Sequence, residues 1–184
     1  MYKRQGLDRV AYTTYQAVSG SGKGGIDDLL NGQDGKGPKK YPHPIYNNVL
    51  PHIDVFLDNG YTKEEIKMID ETKKILSLGD DVRITATCVR VPVLNSHSVD
   101  INVTFRKETS VEEIREILKN APGLVLLDKP QENIYPTPLD ASGHDEVYVG
   151  RIRRDISQDR SFYIWCVADN IRNCLLYTSP SPRD

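Results

Sequence analysis

A β-branched run from Val82 to Val91 stops at Pro92, and a second alternating run, Val99, Ile101, Val103 and Phe105, starts just past His97. Val, Ile and Thr fit the pleated surface of a sheet, and proline has no N–H to give a ladder, so the stretch reads as two strands joined by a short polar turn. If the strands pair antiparallel, Arg90 at the end of one and His97 at the start of the next reach the same rim of the sheet. A permanently charged fork then stands near a group that titrates around neutral pH. The spacing equally permits a surface arginine and a turn histidine.

The rest of the chain supplies more strands and few helices. Val10 to Val18 reads as a strand, with Tyr12, Thr14 and Gln16 on one face and Ala11, Thr13 and Tyr15 on the other. Thr62-Lys63-Glu64-Glu65 is a capping box, predicting a helix to about Leu76 with Ile66, Ile69, the Lys73 stem and Leu76 facing inward. Glu64 and Lys67 are three apart on that helix, where an ordinary solvated ion pair is the plain reading. Ser110-Val111-Glu112-Glu113 repeats the box, and Ala121-Pro122-Gly123 ends the second helix, whose Ile114, Ile117 and Leu118 form a core stripe. A short strand, Leu124 to Leu127, a loop from Pro130 to Asp145, and strands at Val147 to Ile152 and Phe162 to Val167 complete the chain. Most connections are too short for repeated crossovers, so the expectation is α+β: an antiparallel or mixed sheet covered by two helices.

Gly20-Ser21-Gly22-Lys23-Gly24-Gly25 is formally a G-x-G-x-x-G after a strand. It lacks the context of a dinucleotide-binding loop: only a short helical turn at Ile26 to Leu30 is expected, a polar Gly/Pro-rich loop from Gly32 to Pro44 follows, and no parallel strand is foreseen. It is not a Walker loop either, because Lys23 is followed by glycine. Glycines there still let backbone N–H groups approach a ligand.

Composition excludes whole classes of partner. With 24 Lys and Arg against 26 Asp and Glu, no net field favours nucleic acid or an anionic membrane. No apolar run approaches the roughly 20 residues of a membrane span, and no secretory signal is visible, so the cytoplasm is the expected compartment. Cys88, Cys166 and Cys174 form no CxxC pair and suggest neither a disulfide framework nor a metal site. Cys88 shares side-chain parity with Arg90, which allows a Cys88–His97 nucleophile pair, although a cysteine within a β-branched run usually packs as a small hydrophobe.

Thr85-Ala86-Thr87-Cys88-Val89-Arg90-Val91-Pro92-Val93 followed by Ser96-His97-Ser98 resembles the active-site segment of the aspartate-β-semialdehyde dehydrogenases, in their catalytic and dimerisation domain. The resemblance runs in the family's order through Thr14 to Gly20, Pro51 to Phe56, Gly60 to Met68, Tyr135-Pro136, Val149 to Arg153 and Ala168-Asp169-Asn170. It implies the catalytic-domain fold of the glyceraldehyde-3-phosphate-dehydrogenase-like superfamily. It also implies NADPH-dependent conversion of β-aspartyl phosphate to aspartate semialdehyde, on the route to lysine, threonine and methionine, by a homodimer with no metal. In that chemistry a thiolate attacks the acyl phosphate, phosphate leaves, and hydride reduces the thioester.

By the same resemblance His97 is the acid/base, and Gln16, Glu64, Lys67 and Arg90 bind substrate. Arg90 would take the α-carboxylate, Glu64 the α-ammonium, Lys67 the phosphate, and Gln16 would orient the acyl intermediate. Ser19, Gly20 and Asn170 would border the NADP. The Gly32 to Pro44 loop departs from the family, whose members often carry a longer helical insertion there. Two rivals stand beside this reading: the related reductase of N-acetylglutamyl phosphate, and a homodimerising module of the same fold without chemistry.

Met1 to Gln5 and Cys174 to Asp184 back-translate into the two ends of a transposase adapter used in DNA sequencing libraries. The expected organisation is therefore adapter-like residues 1–5, a catalytic and dimerisation domain over 6–173, and adapter-like residues 174–184. The family's N-terminal dinucleotide-binding domain and nucleophilic cysteine precede the matched region, so this chain by itself is expected to be inactive.

Overall fold

The computed structural model describes residues 6–172; residues 1–5 and 173–184, which include both adapter-like ends and Cys174, lie outside the described residues. Six strands form one mixed sheet: β1 Leu7–Gln16, β2 Arg83–Arg90, β3 His97–Phe105, β4 Leu124–Leu126, β5 Val147–Arg154 and β6 Ser161–Ala168. Four α-helices join them: α1 Gly22–Gly32, α2 Lys63–Leu76, α3 Val111–Lys119 and the single turn α4 Pro138–Ala141. The α+β expectation holds, with a sheet order of β2-β1-β3-β6-β5-β4.

The order corrects one sequence reading. β2 and β3 do not pair as a hairpin, because β1 lies between them, parallel to β2 and antiparallel to β3. Their connection runs over the end of β1: Val93 and Leu94 accept the N–H groups of Val18 and Ser19 at 2.9 and 3.1 Å. A parallel strand therefore does follow β1, reached through the long connection that carries α1 and α2. Its distance in sequence hid it.

Three smaller differences have packing causes. α1 begins at Gly22, four residues before the expected turn, because Ile26 and Leu29 pack on Val18, Ile45 and Leu50 in a small second core. In α3, Ile114 is buried and Leu118 packs beside it one turn on, whereas Ile117 falls on the flank and is exposed. The expected loop from Pro130 to Asp145 contains a 3-10 turn, Pro130–Glu132, and α4. The helical cover is thus more than two helices.

The main core lies between one sheet face and helices α2 and α3. Val10, Val103, Phe105, Phe162 and Ile164 from the sheet meet Ile114 of α3, with Leu76 of α2 packed against them. The opposite face carries Tyr15, Asp100, Trp165 and Arg153, and segment 130–138 covers part of it, with Trp165 Nε1 donating to Pro136 O at 3.0 Å.

Both predicted capping boxes form. In α2 the box does more than cap. Glu65 is buried; Oε2 accepts the Thr62 N–H at 2.8 Å and Oε1 accepts the Cys88 N–H of β2 at 2.9 Å. One carboxylate thus ties the first turn of the helix to the far end of a strand, which sets where Glu64 and Lys67 point. Replacing Glu65 by Ala leaves two buried N–H groups unpaired, each costing about 1–3 kcal/mol. A loss of about 2–4 kcal/mol in urea unfolding is expected for Glu65→Ala, with Glu65→Gln losing less because one acceptor oxygen remains.

Candidate active site

Strand directions bring the chemistry together. Gln16 ends β1 and pairs in register with Arg90, which ends β2. On the other side of β1, His97 opens β3 and pairs with Ala168, which ends β6, so Asp169 and Asn170 follow at the same rim. The Glu65 tie adds the first turns of α2. The result is a cavity of about 770 Å³ bordered by Gln16, Glu64, Lys67, Arg90, His97 and Asn170, with Gly20 at its wall. This is the size of a small-molecule site. Seven of the eight residues expected from sequence stand on it.

Ser19 is the eighth and does not border the cavity. Its hydroxyl lies 3.2 Å from Asn95 Oδ1 and accepts from Asn170 Nδ2 at 3.0 Å. Asn170 Oδ1 in turn accepts the Ser96 N–H at 2.9 Å. Ser96 has a left-handed backbone, φ 72°, in the residue immediately before His97. Ser19 and Asn170 therefore brace the turn that delivers the histidine.

Arg90 is buried, and its Nη1 donates to Ala17 O at 2.7 Å. Burial lowers its pKa, with the field of Glu64 working against that loss. Glu64 and Lys67 form the expected pair across one turn at 3.8 Å, Lys67 reaching into solvent. Gln16 Nε2 donates to Thr14 Oγ1 at 3.3 Å.

His97 departs from the sequence expectation of a group titrating near neutral pH. Burial, and then the adjacent Arg90 guanidinium, push its pKa down to about 4, while Asp169 pulls the other way. The ring is neutral at pH 7. Nδ1 accepts the Ala17 N–H at 3.2 Å, which places the proton of the neutral ring on Nε2. Gly20 leaves room for this packing: a Cβ there would lie 3.2 Å from His97 Cε1 and Nε2 and 3.3 Å from Arg90 Nη1, so the ring or the fork would have to give by a few tenths of an ångström.

Neither described cysteine serves this cavity. Cys88 is fully buried, its sulfur 3.8 Å from Met68 Sδ, and desolvation raises its pKa. It packs as a hydrophobe, and the Cys88–His97 pair is set aside. Burial pushes Cys166 up to about 12. Both are thiols, not thiolates, at neutral pH.

Sequence reading missed Lys40, Tyr41 and Asp169, which border the same cavity. Lys40 and Tyr41 come from the irregular segment after α1, where no periodic pattern marks a position as inward. Asp169 accepts Asn95 Nδ2 at 2.9 Å and the N–H groups of Gly143 and Ile171 at 2.7 and 2.8 Å, tying the His97 turn to the α4 region.

The sheet, its helices and this rim of polar side chains define an α+β domain with a cavity of small-molecule size at one rim of the sheet. Residues 1–173 match the family model described as "Semialdehyde dehydrogenase, dimerisation domain", and the chain belongs to that family. The aspartate-semialdehyde dehydrogenase of Aquifex aeolicus is 50% identical over 179 residues, covering 94% of this chain and 52% of its own length. That of Campylobacter jejuni is 47% identical over 174 residues, covering 90% and 50%. A crystal structure of aspartate semialdehyde dehydrogenase II complexed with ASA, from Vibrio cholerae, superposes with a TM-score of 0.87 at 40% identity, covering 94% of this chain and 52% of that one. The chain spans about half the length of the curated relatives it matches.

The sign of the histidine effect is testable by stability. The folded pKa, about 4, lies below the ordinary 6.5, so the unfolded chain binds more protons between those values and stability falls as pH falls through that window. Between pH 7 and pH 5 the expected loss in urea unfolding from this group is about 2 kcal/mol. The His97→Asn chain is expected to lose correspondingly less over the same interval.

Proposed function

We propose that the whole protein is an aspartate-semialdehyde dehydrogenase, reducing β-aspartyl phosphate to aspartate semialdehyde and phosphate with NADPH. The observation that carries this is the convergence of Arg90, Lys67 and Glu64 on one cavity beside a neutral His97. Two cations and one anion complement a substrate with two anionic groups and one ammonium. The guanidinium fork suits the α-carboxylate, Glu64 accepts from the α-ammonium, and Lys67 offers a point charge to phosphate. Gln16, holding a donor and an acceptor, orients the acyl group.

His97 holds its proton at Nε2 in the described tautomer and so can donate to the oxygen that gains charge as the acyl carbon turns tetrahedral. Taking a proton from a thiol at Nε2 requires the other tautomer, so the Nδ1 bond to Ala17 must give way for that half of its role. The attacking thiol itself is assigned to the half of such proteins that this chain does not cover. Gly20 and Asn170 would border the nicotinamide end of NADP, on the cavity wall next to His97, and the cofactor would supply the hydride. A Candida albicans relative of TM-score 0.66 and 27% identity, covering 94% of this chain and 48% of that one, is described with NADP.

The assembly is read as a homodimer in the cytoplasm. The face bearing Tyr15, Trp165 and Arg153 has the aromatic and arginine-rich make-up of an interface core. The domain is taken to be residues 6–173, within the 1–173 that match the family model.

Two experiments test the reading. Titrated calorimetrically into the 184-residue chain, aspartate should bind at least tenfold more tightly than N-acetylaspartate, and Arg90→Ala should abolish binding. Equal binding of the two would favour the acetylglutamyl-phosphate reductase, and a dimer indifferent to both ligands and to phosphate the non-enzymatic module. In the second, the chain alone should show no NADPH oxidation with β-aspartyl phosphate; measurable turnover would overturn the placing of the thiol elsewhere.

A further inference from the structure

Most of the glycine-rich run after β1 has no part in the reading above, yet its packing is specific. On α1, a Cβ at Gly25 would lie 2.5 Å from the Tyr41 hydroxyl and 2.6 Å from Val18 O, and one at Gly24 would touch the Lys40 stem at 3.4 Å. Asp28 lies three and four residues further on, over the same face of the helix. It is buried, and its carboxylate accepts the N–H groups of Lys39, Lys40 and Tyr41 at 2.7, 2.8 and 2.9 Å. Burial works against its ionisation, but these three bonds together hold its pKa below the ordinary carboxylate value. The glycines and Asp28 form a seat for a strap of chain.

The strap ends on Arg90. The Tyr41 ring centroid lies 5.9 Å from Arg90 Cζ, at the outer limit of a cation–π contact. The guanidinium has a hydrogen bond to Ala17 O through Nη1, while its buried Nε has no partner among the described residues. One hydrogen bond leaves a planar fork free to swing about that contact. A ring wall beside it removes that freedom, and a fixed plane is what two-oxygen recognition requires.

We propose that Tyr41, carried on a strap that Asp28 pins to the glycine face of α1, is a positioning residue for Arg90. It fixes the guanidinium plane so that the part of Arg90 lining the cavity is presented to a carboxylate in one orientation, while the buried, unpartnered Nε–H reports whether that plane is held. The inference rests on the assignment of Arg90 to substrate binding. The ring does the positioning; the Tyr41 hydroxyl, buried with no partner among the described residues, does not.

The test is hydrogen exchange at the Arg90 Nε–H in the 184-residue chain, read by side-chain NMR without ligand and assigned through Arg90→Lys. Tyr41→Leu should speed exchange at least tenfold and weaken aspartate binding several-fold. Asp28→Asn should move both in the same direction. Tyr41→Phe should keep the wild-type exchange rate and affinity, a rescue that a general loss of stability would not give. Unchanged exchange in Tyr41→Leu, or equal acceleration in Tyr41→Phe, overturns the proposal. If the wild-type chain binds aspartate no better than Arg90→Ala, the substrate reading fails, while the exchange rates still decide the positioning.

Discussion

A guanidinium taken out of water at the end of β2 governs this structure. Removing such a charge from solvent costs several kcal/mol unless its surroundings compensate, and among the described residues no carboxylate is bonded to it. Compensation comes from a main-chain carbonyl, an aromatic wall and the field of Glu64. Each of these belongs to a different element. The end of β1 supplies the carbonyl, the segment after α1 the ring and the first turn of α2 the anion. Arg90 is the point on which three separate parts of the chain have to agree.

The same charge sets the chemistry of its neighbour. A histidine beside a buried cation is held neutral, and its single proton then sits wherever the hydrogen bonds direct it. A neutral ring beside a fixed fork is suited to receiving a negatively charged reactant without competing for its carboxylate. A side chain at Gly20 would push on both groups, its Cβ lying 3.2 Å from the His97 ring and 3.3 Å from Arg90 Nη1. The two local devices that hold it, the Glu65 tie between α2 and β2 and the Asp169–Asn170 brace on the Ser96 turn, combine buried carboxylates with backbone N–H and side-chain amide donors. Such networks rigidify a site when complete.

The cavity gathers two cations, an anion, an amide and a neutral imidazole, while both described thiols are held protonated by desolvation. The segment of Gly24, Gly25 and Asp28 illustrates how a motif can mislead at the same place. Its spacing suggests a phosphate loop, and its use is to seat the strap of residues 39–41.

The sequence by itself determined the elements that local physics controls. Both capping boxes, the strands ending at Arg90 and beginning at His97, and the α+β class follow from propensity, periodicity and proline, which act over a few residues. The family motifs pointed to seven of the residues that border the cavity, because those positions carry their chemistry in their identity. Only the tertiary structure decided that β1 separates β2 from β3, since a parallel pairing depends on contacts across a long connection that no window of sequence contains. It also decided that His97 is neutral, that Ser19 braces rather than borders the cavity, and that Tyr41 stands over Arg90. Burial, charge proximity and packing are properties of neighbours in space, and the chain order does not list them.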